Sequence, residues 1–207
     1  MQKVGIFGGT YNPPHVGHVN IVSNFIESYA PDKMLIIPTY TPPHKISPDL
    51  ASAEDRLEMC RRTFDSSVFE VSGIEIERQG KSYTYDTLLE LGRQNPDAKF
   101  YFLVGDDMLT TLHKWKNPEG ILELCTIVAA VRSDRLTEDA LREFAQEKYP
   151  DQYAQGKFEF LKMKPLELSS TVIRDKIKQG ASIHNLVTPL TEEYILTRGL
   201  YNDREKR

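Results

Sequence analysis

The stretch VGIFGGTYNPPHVGH, from Val4 to His18, decides how the first part of the chain folds. It opens with a short apolar run, and Gly8 and Gly9 follow that run directly. Because glycine has no side chain, it permits unusual backbone angles and lets a ligand approach the main chain closely. Ligands of open parallel sheets bind beyond the carboxyl ends of the strands. We therefore expect a strand that leads into the two glycines and a turn that can hold an anion.

The two prolines and two histidines of the same stretch predict the start of a helix. Pro13 and Pro14 stop the strand, and their fixed backbone angle suits helix entry. His15 and His18 then fall in the first helical turn on one face, beside N–H groups and a helix dipole that favour anions. A zinc site is an alternative, but metalloprotease helices also carry a glutamate base and a third ligand. Here a valine and a glycine stand between the histidines, so we favour an anion site.

The rest of the chain alternates short apolar runs with segments of helical spacing. Such runs are typical of strands buried on both faces of a parallel sheet, and the alternation indicates right-handed βαβ units. We expect an α/β fold with a doubly wound, Rossmann-like parallel sheet and helices on both faces. The predicted strands are Val4–Phe7, Met34–Ile37, Phe100–Val104 and Ile127–Val131, and the predicted helices are Val16–Tyr29, Ala53–Phe64, Thr84–Arg93 and Ile121–Leu124.

Length and composition favour a single domain over residues 1–207. The chain is 40% hydrophobic, which is enough for a sizeable core. We expect a cytoplasmic protein, because no run reaches the roughly 18 apolar residues of a membrane span and the first residues lack a secretory signal. The net charge of −4 gives no general attraction for nucleic acid or an anionic membrane. Cys60 and Cys125 have no metal-ligand spacing and are expected to be buried thiols.

A second informative stretch, LELSSTVIRDKIKQG, covers residues 166–180. Ser169, Ser170 and Thr171 are good N-cap residues for a helix that ends near its final glycine. No Glu or Gln stands where a capping box needs one, so the helix start can receive an external anion. Arg174 follows one turn later, where its guanidinium can hold a phosphate oxygen.

The segment Asp134–Gly156 is highly charged. Within it, Leu136, Leu141, Phe144 and Ala145 are spaced for one buried helical stripe. We interpret the segment as a surface helix and loop.

Together these stretches resemble a known family. GGTYNPPHVGH and LSSTVIR are similar to the two signatures of the nucleotidyltransferase superfamily, an HxGH motif after the first strand and an ISSTxxR-like motif late in the chain. Three further stretches resemble the bacterial nicotinate mononucleotide adenylyltransferase branch: TPPHK (41–45), SYTYDTL (82–88) and GDDMLTTLHKW (105–115). Matches therefore run in order along nearly the whole chain, and the pair of signatures is far more specific than either alone.

The resemblance implies transfer of AMP from ATP to nicotinate mononucleotide in NAD biosynthesis, giving nicotinate adenine dinucleotide and pyrophosphate. A substrate phosphate is already an anionic nucleophile, so such an enzyme relies on positioning and charge stabilisation rather than on a general base. Mg²⁺ is implied on the ATP phosphates and not on protein side chains. The resemblance also implies a nucleotidyltransferase-type fold in which the C-terminal helical part, about residues 165–207, completes the ATP site.

Site residues follow from the resemblance position by position. It implies His15, His18 and Arg174 as catalytic groups on the phosphates and Asp107 on the ATP ribose. The other ATP contacts that it implies are Gly8, Gly9, Thr10, Gly105, Ser169, Ser170 and Thr171.

For the acceptor, the resemblance implies that the backbone amides of Thr84 and Tyr85 meet the nicotinate carboxylate and that Trp115 stacks on the pyridine ring. It places the acceptor phosphate near His44, Lys45 and Arg132.

The sequence departs from the family pattern at a few positions. Tyr11 and Asn12 replace the common Phe and Asp, which changes little if that turn works through its backbone. Asp106 adds a negative charge near the expected ribose pocket, and a Ser-Asp pair replaces the usual Pro-Gly after Arg132.

Two other functions stay open. A related transferase can use nicotinamide mononucleotide or phosphopantetheine as acceptor, or CTP in place of ATP. A catalytically silent nucleotide sensor can keep the glycines, although it does not need both histidines together with Arg174. Small-molecule substrates are the expected partners, and a homo-oligomer is left open.

Overall fold

The computed structural model of this chain describes residues 1–42, 49–131, 136–164, 166 and 168–202. Six strands of the described chain form one sheet in which every pair of neighbours is parallel. In chain order they are β1 (Gln2–Gly9), β2 (Lys33–Pro38), β3 (Phe69–Val71), β4 (Ala98–Gly105), β5 (Cys125–Val131) and β6 (Phe158–Lys162).

The strand order β3-β2-β1-β4-β5-β6 confirms the predicted doubly wound α/β fold. The four strands predicted from apolar runs are the four central ones, and each is longer than its apolar run. The two edge strands, β3 and β6, were not predicted. Gly8 and Gly9 are the last two residues of β1 and pair with Ile37 and Pro38, so the strand includes the glycines instead of ending before them.

The sheet reverses its winding between β1 and β4. The chain runs outward from β1 through β2 to β3 and then crosses back to β4 on the other side of β1. Open α/β sheets bind ligands at such a switch point, beyond the carboxyl ends of the two strands. Gly9 ends β1 and Gly105 ends β4, so both glycines border this crevice.

The described residues form ten α-helices. The first has the predicted bounds, the second ends one residue earlier than predicted, the fourth ends one residue later, and the sixth begins earlier, at a proline in its first turn. They are α1 (Val16–Tyr29), α2 (Ala53–Thr63), α3 (Ile74–Arg78), α4 (Thr84–Gln94), α5 (Asp106–Leu109), α6 (Pro118–Leu124), α7 (Glu138–Lys148), α8 (Pro150–Ala154), α9 (Ser170–Lys178) and α10 (Pro189–Thr197).

Alternate side chains of the strands enter two apolar clusters, as the twofold period of a strand requires. Ile6 and Phe102 pack in the cluster that contains residues of α4 and α6, whereas Phe7 and Leu103 pack in the cluster that contains residues of α1 and α2. Both faces of the sheet are thus covered by helices, which explains why the central strands read as continuous apolar runs.

A third cluster joins the C-terminal helices to α2. Met59 of α2 packs with Ile173 of α9 and Ile195 of α10. The hydroxyl oxygens of Thr63 and Thr191 lie 2.7 Å apart in the same contact between α2 and α10. The late motif on α9 is therefore held against the N-terminal half of the chain.

The charged segment contains two helices, α7 and α8, in place of one helix and a loop. Leu141 and Ala145 are fully buried, and Leu136 and Phe144 pack partly buried against the same cluster, as the predicted stripe requires. Residues 132–135 lie outside the described chain. Among the described helices, none combines the length and apolar character that a membrane crossing needs.

Candidate active site

The two histidines of the first motif lie together at the start of α1. His15 is the N-cap, one position before the helix, and not a residue of its first turn as predicted. Its backbone N–H donates to Nδ1 of His18 over 3.1 Å, and the two ring centroids are 3.7 Å apart. Because Nδ1 accepts this bond, neutral His18 carries its proton on Nε2, the nitrogen that can donate to a phosphate oxygen.

Gly17 lets the His15 ring approach the helix backbone. A Cβ atom built at Gly17 would lie 2.9 Å from Nδ1 of His15, closer than real side chains tolerate. Gly17 is itself buried. The glycine of the HxGH motif is thus a packing requirement of the histidine before it, and we did not identify this role from the sequence.

Tyr11 stabilises the loop after β1 through contacts with Phe7 and His18. Its backbone has a positive φ of 50°, and its hydroxyl donates to the carbonyl oxygen of Phe7 over 2.8 Å. Its ring lies edge-on to His18 at a centroid distance of 5.0 Å. Burial raises the pKa of the Tyr11 hydroxyl, so this side chain stays neutral and acts as a hydrogen-bonded prop.

The late motif meets the first motif at the start of α9. Ser169 is the N-cap, and its hydroxyl accepts from the backbone N–H of Val172 over 3.3 Å. Ser170 instead donates its hydroxyl to the carbonyl oxygen of Pro13 over 2.8 Å. Only one of the three predicted capping residues therefore caps the helix, and the second ties α9 to the loop after β1.

Arg174 makes the second connection between the two motifs. Its side chain is buried, and Nη1 donates to the carbonyl oxygen of Asn12 over 2.8 Å. Nη2 lies 3.3 Å from the hydroxyl oxygen of Thr171, which is exposed. Among the described residues no acceptor pairs with Nε of Arg174. A buried donor of this kind is satisfied when an oxyanion binds beside it.

Asn12 works through its side chain as well as its backbone, so the condition under which its replacement of the common Asp would change little is not met. Its amide nitrogen donates to the carbonyl oxygen of Asp49, and its amide oxygen accepts from the backbone N–H of Ala51, both over 3.0 Å. The hydroxyl of Tyr201 donates to the same oxygen over 2.9 Å. An aspartate at position 12 would have no N–H to give to Asp49, which is a physical reason for the amide here.

Gly105 and Asp107 lie where β4 meets α5. Gly105 is the N-cap of α5, and Asp107 is exposed in its first turn. The neighbouring Asp106 is buried and accepts the backbone N–H of Asp107 over 2.9 Å. The extra carboxylate is thus buried and bonded to the backbone of the next residue, and the exposed carboxylate at this helix start is that of Asp107.

The predicted acceptor residues Thr84 and Tyr85 begin α4. N–H groups in the first turn of a helix have no partner within the helix, so these two amides suit an anion such as a carboxylate. The Tyr85 ring packs over Gly120 of α6, where a Cβ atom would lie 2.5 Å from a ring carbon. The glycine therefore lets α6 approach the start of α4.

Trp115 is half-buried after a 3₁₀ turn, Leu112–Lys114. Its indole meets the ring of Phe102 edge-on at a centroid distance of 6.3 Å. The next residue, Lys116, places Nζ 2.8 Å from both carboxylate oxygens of Asp86 in the first turn of α4. This ion pair fixes the loop that carries the tryptophan to the helix that carries Thr84 and Tyr85.

Three predicted acceptor residues, His44, Lys45 and Arg132, lie outside the described residues. In the chain that the structure does describe, no group of three or more His, Cys, Asp or Glu side chains is placed to hold a metal ion. The polar groups gathered around α1 and α9 are imidazole, guanidinium and hydroxyl groups. Imidazole, guanidinium and hydroxyl groups can bind phosphate oxygens.

This chain is similar to proteins of one family along its whole length. The cytidylyltransferase-like family model matches residues 6–176. A relative from Lachnoclostridium phytofermentans, named "Probable nicotinate-nucleotide adenylyltransferase", is 37% identical over 97% of this chain and 100% of its own. One of the same name from Halalkalibacterium halodurans is 34% identical over 100% of this chain and 95% of its own.

Solved structures share the fold. The nicotinic acid mononucleotide adenylyltransferase of Plasmodium falciparum, complexed with NaAD, superposes with a TM-score of 0.77 at 18% sequence identity. The comparison covers 97% of this chain and 98% of that chain.

Proposed function

The chain belongs to the cytidylyltransferase-like family, and we propose that it transfers AMP from ATP to nicotinate mononucleotide, forming nicotinate adenine dinucleotide and pyrophosphate. The full-length relatives that carry the name nicotinate-nucleotide adenylyltransferase support this substrate pair. The observation that carries the proposal is the junction of the two motifs. Arg174 donates to the carbonyl oxygen of Asn12, and Ser170 donates to that of Pro13. The start of α9 therefore lies against the loop that leads to His15.

In the proposed reaction an oxygen of the acceptor phosphate attacks the α-phosphorus of ATP. A bond forms between them, and the bond from the α-phosphorus to the oxygen bridging to the β-phosphate breaks, so pyrophosphate leaves with the electron pair. No proton must be removed from the nucleophile, because the attacking phosphate is already an anion. The protein therefore has to align the two phosphates and stabilise the charge that spreads over them.

We assign this stabilisation to His15, His18 and Arg174. The Nε2–H of neutral His18 donates to an α-phosphate oxygen, with its ring orientation fixed by the His15 backbone. The buried guanidinium of Arg174 holds the β- and γ-phosphates through Nε, which has no acceptor among the described residues. The remaining contacts to ATP are assigned to Gly8, Gly9, Thr10, Gly105, Asp107, Ser169, Ser170 and Thr171.

The acceptor site is proposed at the start of α4. The amides of Thr84 and Tyr85 receive the nicotinate carboxylate, and Trp115 stacks on the pyridine ring. An amide ring substituent would present N–H groups to these N–H donors, which favours nicotinate over nicotinamide. We keep His44, Lys45 and Arg132 as proposed contacts to the acceptor phosphate.

Mg²⁺ is the proposed cation of the reaction, carried by the ATP phosphates. When bound there, it neutralises part of the triphosphate charge and makes pyrophosphate a better leaving group. The chain's own histidine, guanidinium and hydroxyl groups bind the phosphate oxygens around it. Chelation of Mg²⁺ is expected to bring the rate close to zero, and activity that persists in chelator would contradict a metal-bound triphosphate.

We further propose that residues 1–207 form one catalytic domain in which the part from about 165 onward completes the ATP site. The third apolar cluster and the contacts of Ser170 and Arg174 with the first motif support this. A cytoplasmic location is proposed because Cys60 and Cys125 are both buried thiols, as is usual in a reducing compartment.

The test is pyrophosphate release by the purified protein with ATP, Mg²⁺ and either nicotinate or nicotinamide mononucleotide. A strong preference for the nicotinate substrate is the expected result. A preference for nicotinamide would keep the chemistry and overturn the roles of Thr84 and Tyr85. Silence with both would call for phosphopantetheine as acceptor and CTP as donor, and ATP binding without turnover under any acceptor would indicate a nucleotide sensor.

A further inference from the structure

Arg56 is a charged side chain that is buried between α2 and the loops that follow β1 and β2. It lies on α2 and is only 1% exposed. Its guanidinium donates to four backbone carbonyl oxygens, and burial lowers its pKa without removing the charge. The acceptors are Ala51 for Nε at 3.1 Å, Thr10 and Thr39 for Nη1 at 2.9 and 2.5 Å, and Tyr40 for Nη2 at 2.8 Å.

Three of these carbonyl groups belong to the loops that follow β1 and β2. Thr10 comes directly after β1, and Thr39 and Tyr40 come directly after β2, its neighbour in the sheet. The backbone N–H of Thr39 also donates to the carbonyl oxygen of Gly9 over 2.9 Å. One guanidinium thus holds the carboxyl ends of two adjacent strands in a fixed relation.

Hydrogen bonds extend this connection to the start of α4, where the acceptor substrate is proposed to bind. The backbone N–H of Tyr40 donates to the hydroxyl oxygen of Ser82 over 2.9 Å, and the N–H of Ser82 donates to the carbonyl oxygen of Thr41 over 3.0 Å. Ser82 stands two positions before Thr84, where α4 begins. A continuous set of bonds therefore runs from Thr10 in the loop after β1, through Arg56, to the start of α4, which is proposed to receive nicotinate.

We propose that Arg56 is a positioning residue for adenylyl transfer. It holds the loop after β1, which is proposed to bind ATP, and the start of α4, which is proposed to bind the acceptor, at the separation that in-line attack requires. The inference rests on the proposed function. Reacting atoms must lie about 3 to 3.5 Å apart, and a misplacement of about 1 Å costs on the order of a hundredfold in rate. Each loop keeps its own substrate contacts when the separation changes, so the effect falls on kcat and not on KM.

The geometry demands arginine and not merely a positive charge. A guanidinium offers five N–H donors in a planar fork, and here both ends and the Nε edge of the fork are used. A lysine has three donors on one atom and does not span acceptors on both loops. Arg56→Lys therefore keeps the charge and loses the bridge.

The experiment compares Arg56→Lys with Thr191→Val. Thr191→Val removes the buried hydroxyl contact with Thr63, which destabilises the packing of α2 against α10 without touching either loop. Circular dichroism first establishes a temperature at which both variants are folded, and kcat and both KM values are then measured there. Arg56→Lys is expected to lower kcat by about 30- to 100-fold with both KM values within about threefold of wild type. Thr191→Val is expected to keep kcat within about twofold.

A wild-type kcat in Arg56→Lys would overturn the proposal, and so would an equal loss of kcat in Thr191→Val at the same melting temperature. If Arg56→Lys does not fold, Ser82→Ala tests the proposal instead, because it removes the hydrogen bond from the backbone N–H of Tyr40 to the Ser82 hydroxyl. An approximately tenfold loss of kcat with little change in KM would then support the proposal, and an unchanged kcat would reject it. Wild-type enzyme that releases no pyrophosphate with nicotinate mononucleotide would instead contradict the proposed function, and the role of Arg56 would fall with it.

Discussion

The backbone N–H of His15 lies 3.1 Å from Nδ1 of His18, and this one bond fixes which nitrogen of His18 holds its proton. The planes of the two rings are tilted by 31° at a centroid distance of 3.7 Å, and the Tyr11 ring lies edge-on to His18. The spacing of the HxGH motif thus produces a preoriented Nε2–H donor beside the start of α1. Preorientation is what makes such a donor valuable, because nothing has to reorganise during the reaction.

Replacing His18 with alanine is expected to lower kcat by about a hundredfold or more, since a transition-state donor is lost. The helix start keeps its prolines, so circular dichroism and the melting temperature should stay close to wild type. Steady-state pyrophosphate release measures the effect. Turnover near the wild-type value would remove His18 from the mechanism.

The contact between Gly17 and His15 gives a prediction with a matched control. In Gly17→Ala the new methyl group would lie 2.9 Å from Nδ1 of His15, so the ring has to move. We expect kcat to fall by about tenfold or more. Gly92→Ala in α4 is the control, because nothing lies within 4 Å of the added atom. It should leave kcat unchanged and stabilise the fold by about 0.5–1 kcal/mol. Equal kcat values for the two variants would refute the packing role of Gly17.

Trp115→Ala tests the proposed stacking on the pyridine ring. The indole meets the Phe102 ring edge-on and is only half-buried, and its exposed part is proposed to stack on the ligand ring. The KM for nicotinate mononucleotide should rise by about tenfold or more, while the KM for ATP stays within about twofold. The opposite pattern, a raised ATP KM and an unchanged acceptor KM, would contradict this role.

The ion pair of Lys116 with Asp86 is expected to support the preference for nicotinate. Without the ammonium group, the Asp86 carboxylate would be uncompensated in the same helical turn as the amides that are proposed to bind the acceptor carboxylate. Lys116→Met should therefore raise the KM for nicotinate mononucleotide by up to about fivefold at low salt, and the KM for nicotinamide mononucleotide less.

Adding Asp86→Asn to Lys116→Met removes the uncompensated charge and should restore the preference. Parallel KM values for the two acceptors in each variant measure it. Equal changes for both acceptors would mean that the pair acts on the loop structure and not on charge.

Asp55 makes stability depend on acid pH. Burial alone would raise the pKa of its carboxyl, but hydrogen bonds from Ser52 and Tyr194 and the charge of Arg198 outweigh burial, and the pKa is lowered. A lowered pKa means that the ionised carboxylate stabilises the fold above the unfolded-state pKa of about 3.9. This contribution is lost as the pH falls through the lower folded-state value.

Urea unfolding between pH 7 and pH 3 measures the contribution of Asp55. Wild type should lose stability steeply on acidification, and Asp55→Asn should be less stable at pH 7 and lose less on the way down. Parallel pH profiles for the two proteins would show that Asp55 is not the group responsible.

The interior of the fold was predictable because its signal is strong. The central strands are covered on both faces, so each reads as an unbroken apolar run, and α1 has a complete amphipathic period between a proline entry and a left-handed C-cap at Ala30. The edge strands lack that signal. Phe69–Val71 has only three residues, and Phe158–Lys162 mixes buried and exposed positions with two charges.

The positions of the histidine and serine motifs at the starts of α1 and α9 were predictable from local chemistry, and their roles stay predictions. The site was not predictable where tertiary contacts decide. Arg56 shares one face of α2 with Met59 and Cys60, but an arginine is rarely buried without partners, and no local pattern predicts the four backbone acceptors that permit its burial. Tyr201 and Asn12 contribute a hydrogen bond that no local pattern encodes, because they are 189 positions apart.

That hydrogen bond makes the loop after β1 depend on a residue far along the chain. The Tyr201 hydroxyl that braces Asn12 is synthesised 189 positions after it. All six described strands precede Tyr201 in the chain, so the sheet is synthesised before this brace. A chain truncated before Tyr201 would lack this bond, and we expect it to transfer AMP more slowly.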